Sequence, residues 1–97
     1  MSKTIVLITG ANTGLGYQMV RALCDSAKPY DIFVGGRSLE KAQQAVKDAS
    51  AEFPSTQSSL QAIQVDVESD ESIQTAYDIV SSKSGRLDAL VNNAGNI

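Results

Sequence analysis

Apolar and polar positions change their period repeatedly along this chain of 97 residues. The run Thr4-Ile5-Val6-Leu7-Ile8-Thr9 is continuously apolar at its centre, as a strand buried on both faces requires. From Leu15 the period becomes helical, with Leu15, Met19, Val20 and Leu23 on one face, until Pro29 ends the pattern. Asp31-Ile32-Phe33-Val34 reads as a second strand, which Gly35 and Gly36 are expected to break. Ser38 is a suitable N-cap for a helix that lines up Leu39, Ala42, Ala45, Val46 and Ala49. Pro54 to Ser59 is a polar loop. Leu60 to Val65 alternates, which suits a less buried strand at a sheet edge. Ser69 caps a third helix, with Asp70 and Glu71 in the turn where carboxylates favour the helix dipole. Ile73, Ala76, Tyr77 and Val80 form its expected inner stripe, and Leu87 to Val91 reads as a fourth strand.

Strands that alternate with helices imply βαβ units and a parallel sheet. Right-handed crossovers then give the strand order 3-2-1-4, part of a Rossmann-type doubly wound α/β fold. In such a sheet ligands bind at the carboxyl ends of the strands, where the order reverses. That crevice lies between strands one and four. No internal repeat, low-complexity tract or linker interrupts the pattern, so one small domain at most is expected.

Charge and composition narrow the function classes. The formal net charge is −3, so neither nucleic acid nor an anionic membrane is an expected partner. The apolar N-terminal run is too short for a secretory signal, whose apolar core needs roughly 7–15 residues. No stretch approaches the roughly 18 apolar residues of a membrane span. Cys24 is the single cysteine and histidine is absent. A zinc site is therefore not expected, and Cys24 reads as a packing residue. These features describe a soluble, cytoplasmic protein.

The chemistry begins at Gly10-Ala11-Asn12-Thr13-Gly14-Leu15-Gly16, between the first strand and the first helix. A pyrophosphate approaches backbone N–H groups at a helix N-terminus, where the dipole also favours negative charge. Gly10 would allow the tight turn, Gly14 the passage of phosphate close to the backbone, and Gly16 the packing of helix on strand. The plain alternative is a turn with no ligand. A Walker loop is excluded, because no Gly-Lys-Ser/Thr follows.

About 20 residues beyond such a loop an NAD site places a carboxylate for the ribose 2′-hydroxyl. Here Gly36 and Arg37 follow the second strand. A guanidinium can bind a 2′-phosphate bidentately, and glycine beside it leaves room. NADP is thus the expected cofactor, with Ser38 as a neighbouring contact; the alternative is that Arg37 is a solvated surface charge. A methyltransferase would share the glycine loop but needs an acidic residue near Gly36, and Arg37 argues against one.

The spacing Thr9-Gly10-x-x-x-Gly14-x-Gly16, with Asn92-Asn93-Ala94-Gly95 after the fourth strand, resembles the short-chain dehydrogenase/reductase family over the whole chain. The extended branch would want a glycine at position 13, where Thr13 stands, so the chain looks like the ordinary reductase branch. The resemblance implies that Gly10, Asn12, Thr13, Gly14, Leu15 and Gly16 line the phosphates and ribose. It also implies that Asp66 accepts from the adenine amino group while the Val67 amide touches the ring. A turn-forming Asp before the Ser69 cap is the alternative for Asp66. Asn93, Ala94 and Gly95 would let ribose and nicotinamide lie against the backbone; their alternative is an ordinary Asn/Gly turn. Some relatives carry a basic residue before the middle glycine. Thr13 is not basic, so the NADP preference rests on Arg37.

The family reduces carbonyls with a Tyr-x-x-x-Lys pair and a supporting Ser. Four residues beyond Tyr17, Tyr30 and Tyr77 lie Arg21, Val34 and Ser81, none of them lysine. No catalytic residue is therefore assigned. The expectation is that residues 1–97 form the N-terminal part of an NADP-binding domain in an oxidoreductase acting on small carbonyl or alcohol substrates. The catalytic part and any homo-oligomer contacts would lie in a longer form. The other reading is a catalytically inactive truncated nucleotide-binding module.

Overall fold

A computed structural model describes residues 3–11, 14–66 and 68–92. Strand β1 (Thr4–Thr9) leads to helix α1 (Gly14–Asp25), then β2 (Tyr30–Gly36), α2 (Leu39–Glu52), β3 (Ser59–Gln64), α3 (Asp70–Ser84) and β4 (Ala89–Asn92). The four strands form one parallel sheet in the order β3-β2-β1-β4, as the alternation of periods predicts.

Period-two geometry divides the core into two layers. Val6 and Ile8 of β1, with Ile32 and Val34 of β2, pack with Val20, Cys24, Ala45 and Ala49 beneath α1 and α2. Ile5, Leu7 and Phe33 point the other way, onto Ile63, Val65, Ala76 and Val80 beside α3. The largest fully buried side chains are Phe33, Ile8, Ile32, Val20, Val34 and Val80. Each such side chain contributes roughly 1.5–3 kcal/mol by leaving water. All but Val20 and Val80 belong to β1 or β2, so the two central strands carry much of the core.

Several local expectations are revised. Gly35 and Gly36 do not break β2 but continue it, paired with Ile63 and Gln64 of β3. Packing explains the first glycine: a Cβ at Gly35 would lie 2.8 Å from Val65 Cγ1 and 3.0 Å from the Ile8 carbonyl oxygen. The buried face of α1 is Gly16, Val20 and Cys24, while Leu15 is 77% exposed and Met19 37% exposed. Small Gly16 lets the helix start sit close to the end of β1, and that contact sets the rotation of the helix. On α2 the inner face is alanine, Ala42, Ala45 and Ala49, and Leu39 faces outward. Tyr77 of α3 is 48% exposed rather than part of the inner stripe.

Both N-caps form as expected. Ser38 Oγ accepts from the Lys41 N–H, and Ser69 Oγ accepts from the Ser72 N–H. Gly85 closes α3 in the left-handed region at φ 80°. The start of β4 is clasped by Asp88, whose Oδ2 accepts from the Ile5 N–H at 2.8 Å while its own N–H donates to the Ile5 carbonyl at 3.0 Å. The Arg86 guanidinium, together with that Ile5 amide, holds the Asp88 carboxyl below its ordinary range.

Beside α3 an apolar groove of about 360 Å³ is lined by Leu7, Ile73, Tyr77, Leu87 and Leu90 among others. Leu90 is 53% exposed on β4, the outer strand. An unpaired strand edge with exposed apolar side chains favours association. Expressed alone, the 97 residues should therefore self-associate rather than unfold as a monomer. Sedimentation velocity at increasing concentration checks this, and a single monomer species with a sharp thermal transition would overturn it.

Candidate functional site

Register places the ends of the strands along one edge of the sheet. Thr9 of β1 pairs with Asn92 of β4, and Gly36 of β2 pairs with Gln64 of β3. The glycine turn leaves β1 at this edge, Arg37 follows β2, and Asp66 follows β3. Asn12, Thr13, Val67, Asn93, Ala94 and Gly95 lie outside the described residues.

The turn itself has the backbone that its glycines predict. Gly10 and Gly14 have φ of 61° and 60°, in the left-handed region that side chains disfavour. Gly16 is constrained by space instead. A Cβ there would lie 2.3 Å from the Gly10 carbonyl oxygen and 2.9 Å from Ala11 Cα. A Cβ at Gly14, by contrast, would meet nothing within 4 Å among the described residues. The helix start thus packs against the turn, and no described residue crowds Gly14.

Two hydrogen bonds anchor the start of the turn. The Ala11 N–H donates to the Gly35 carbonyl at 2.9 Å, and Thr9 Oγ1 donates to the Val91 carbonyl at 3.3 Å. Thr9 is 3% exposed and ties β1 to β4. Continuation of β2 through Gly35 makes the first of these bonds possible. The role of Gly35 was hidden in the sequence, because a glycine pair after an apolar run reads locally as a break. The signal lay in its place opposite β1, where strands approach closely.

Electrostatics distinguish α1 from the other helices. Its first turn has no acidic residue, whereas α2 carries Glu40 and α3 carries Asp70 and Glu71 there. Those carboxylates partly neutralise their own helix dipoles; the first turn of α1 carries no carboxylate to oppose an external anion.

Arg37 lies at the mouth of the same edge with its side chain 70% exposed. Its Nε is 3.8 Å from Asp66 Oδ1, and its Nη2 is 3.5 Å from Glu68 Oε2. Arg37 and Asp66 are thereby brought together, and Glu68 joins them. Glu68 was not singled out from the sequence, since it sits in an acidic stretch with no motif. The Arg37 carbonyl also accepts from Gln64 Nε2 at 3.1 Å. Asp66 is held by its surroundings: its N–H donates to Ser72 Oγ at 2.8 Å, and its Oδ1 accepts from the Glu68 N–H at 3.0 Å. The turn-forming role and the site position of Asp66 thus coincide. Ser38 acts as the α2 cap beside Arg37. Leu15 stands exposed at the first turn of α1.

Tyr17 lies in α1, four residues before Arg21. Burial pushes its phenol above the ordinary value, and the nearby Asp48 and Glu52 carboxylates push the same way. Arg21 is engaged by Glu52, with Nε donating to Oε1 at 2.8 Å and a second contact between Nη2 and Oε2. Among the described residues no group of three or more His, Cys, Asp or Glu is placed to hold a metal, and no helix is long and apolar enough to cross a membrane.

Strand order, the helix on the glycine turn and the position of that turn at the switch point define a Rossmann-type fold. A family model for short chain dehydrogenases matches residues 4–97, and the chain belongs to the short-chain dehydrogenase/reductase family. A short-chain dehydrogenase/reductase of Talaromyces stipitatus, tropE, is 44% identical over 93 residues, covering 96% of this chain and 35% of the relative. Carbonyl reductase [NADPH] 1 of Mus musculus is 36% identical over 94 residues, covering 97% of this chain and 32% of that protein. Among solved structures, the menthone neomenthol reductase from Mentha piperita superposes with a TM-score of 0.87 at 27% identity, over 99% of this chain and 33% of the other. The chain spans about a third of the length of these relatives.

Proposed function

We propose that these residues are the NADP(H)-binding portion of a short-chain reductase that transfers hydride between a nicotinamide and a carbonyl or secondary alcohol. The observation that carries this reading is a convergence at one sheet edge. The positive-φ glycine turn, an α1 start without a carboxylate, and the Arg37 guanidinium all meet there. No described residue crowds Gly14, which suits a pyrophosphate against backbone amides.

In this reading the residues bind and orient. Gly10, Gly14 and Gly16 keep the backbone clear for the phosphates, with Asn12, Thr13 and Leu15 beside them. Arg37 pairs with the 2′-phosphate and Ser38 lies next to it. Asp66 and Val67 hold the adenine, and Asn93, Ala94 and Gly95 flank the nicotinamide ribose. The cofactor supplies the hydride. Within residues 1–97 no tyrosine precedes a lysine at the Tyr-x-x-x-Lys spacing, so this stretch positions the cofactor and donates no proton. The name of the murine relative, an NADPH carbonyl reductase, supports both the cofactor and the substrate class.

Kinetics on purified proteins test the reading. The 97 residues alone should give no turnover of NADPH with a panel of ketones and aldehydes. The full-length protein that carries them should oxidise NADPH with at least one of those compounds. Turnover by the 97 residues above the buffer rate would contradict the assignment of a purely positioning role.

A further inference from the structure

Arg37 faces two carboxylates, and they are held differently. Asp66 is fixed by hydrogen bonds at its backbone N–H and at Oδ1. The side chain of Glu68 is 75% exposed, and its ion pair is with Arg37 at 3.5 Å. Its backbone is nonetheless fixed, because the Glu68 N–H donates to Asp66 Oδ1 at 3.0 Å. The turn after β3 thus brings an exposed carboxylate to the guanidinium, with an ion pair at 3.5 Å as its contact there. One positive charge meets two negative ones at the point where a 2′-phosphate would bring a further negative group.

We propose that Glu68 is a built-in competitor for the Arg37 guanidinium and so sets how strongly this site prefers a 2′-phosphorylated nucleotide to one with a free 2′-hydroxyl. This deepens the NADP(H) reading and rests on it. A 2′-phosphate must displace Glu68 from Arg37 before it can form its own charge-assisted pair, whereas a 2′-hydroxyl need not. A bidentate phosphate pair is stronger than an exposed carboxylate pair, so displacement is feasible. The competition lowers the preference without reversing it. Exposed ion pairs are weak, and removing one corresponds to a gain of about two- to fivefold in affinity. Added salt screens the pair and should shrink that gain.

Binding of 2′,5′-ADP and of 5′-AMP to the full-length protein, by calorimetry at low and moderate salt, tests the proposal. Glu68→Gln should tighten 2′,5′-ADP about two- to fivefold and leave 5′-AMP unchanged. Asp78→Asn removes the same charge from α3 away from Arg37 and should change neither. In an Arg37→Met background the Glu68→Gln gain should vanish, because nothing remains to compete for. A gain that persists there would mean simple repulsion and would overturn the competition. If Arg37→Met lowers the preference for 2′,5′-ADP but Glu68→Gln does nothing, the role of Glu68 is refuted and the Arg37 reading stands. If Arg37→Met leaves the preference unchanged, the NADP(H) reading itself fails, and the proposal with it.

Discussion

Replacing Gly16 by alanine should cost more stability than replacing Gly14, although the second glycine has the positive φ. An added Cβ at position 16 lies 2.3 Å from the Gly10 carbonyl oxygen and 2.9 Å from Ala11 Cα. All the close atoms are backbone, so no side chain can rotate away. Overpacking in a core costs about 1–3 kcal/mol when side chains can adjust. The rigid turn puts Gly16→Ala at or above the upper end of that range. At Gly14 no described residue lies within 4 Å of the new atom. The cost there is the left-handed backbone, roughly 1–2 kcal/mol for a residue with a Cβ. In a protein of the relatives' length, each kcal/mol moves Tm by about 2–4 °C. Thermal unfolding of the two full-length variants should therefore show the larger drop for Gly16→Ala, together with loss of dinucleotide binding as the turn is pushed open. Equal or reversed shifts in Tm would show that the helix start can back away from the turn.

Arg37→Asp in the full-length protein should move the ratio of kcat/KM for NADPH over NADH by at least about tenfold toward NADH. The reasoning is electrostatic. The substitution removes a charge-assisted pair, worth about 1.5–3 kcal/mol. It also adds a carboxylate beside Asp66 and Glu68, which already approach the guanidinium at 3.8 Å and 3.5 Å. Three carboxylates would then repel a 2′-phosphate while one of them could accept from a 2′-hydroxyl. Steady-state rates with both cofactors at fixed ionic strength decide the matter. An unchanged ratio would make Arg37 a surface charge held by its acidic neighbours and nothing more.

What the sequence alone determines follows from local periodicity. The apolar run from Thr4 to Thr9, the helical spacings and the caps at Ser38 and Ser69 each depend on residues within a turn or two of one another. Alternation of those elements, with the handedness of crossovers, implies a doubly wound parallel sheet, and the glycine turn after the first strand selects the Rossmann-type order 3-2-1-4 that the structure has. The glycine spacing was legible for the same reason, since a tight turn is specified by adjacent residues. Positive φ at Gly10 and Gly14 is a local property that glycine alone tolerates well.

The tertiary structure decided what depends on contacts between segments distant in the chain. Periodicity puts apolar Leu15 and Met19 on the inner face of α1 with Val20, yet the contact of Gly16 with the preceding turn rotates the helix and leaves Leu15 exposed while Val20 stays buried. Gly35 reads locally as an interruption, but Ile8 and Val65 close on it from two neighbouring segments and keep it in the strand. The sequence offers Arg37 as a partner for a 2′-phosphate or as a solvated surface charge, and only the packing of the β3–α3 turn beside the end of β2 brings Asp66 and Glu68 to it. A sequence states which charges and apolar groups exist and how near neighbours repeat. Which groups meet across the sheet is set by strand register and helix approach, because these place residues about thirty positions apart within a few ångströms.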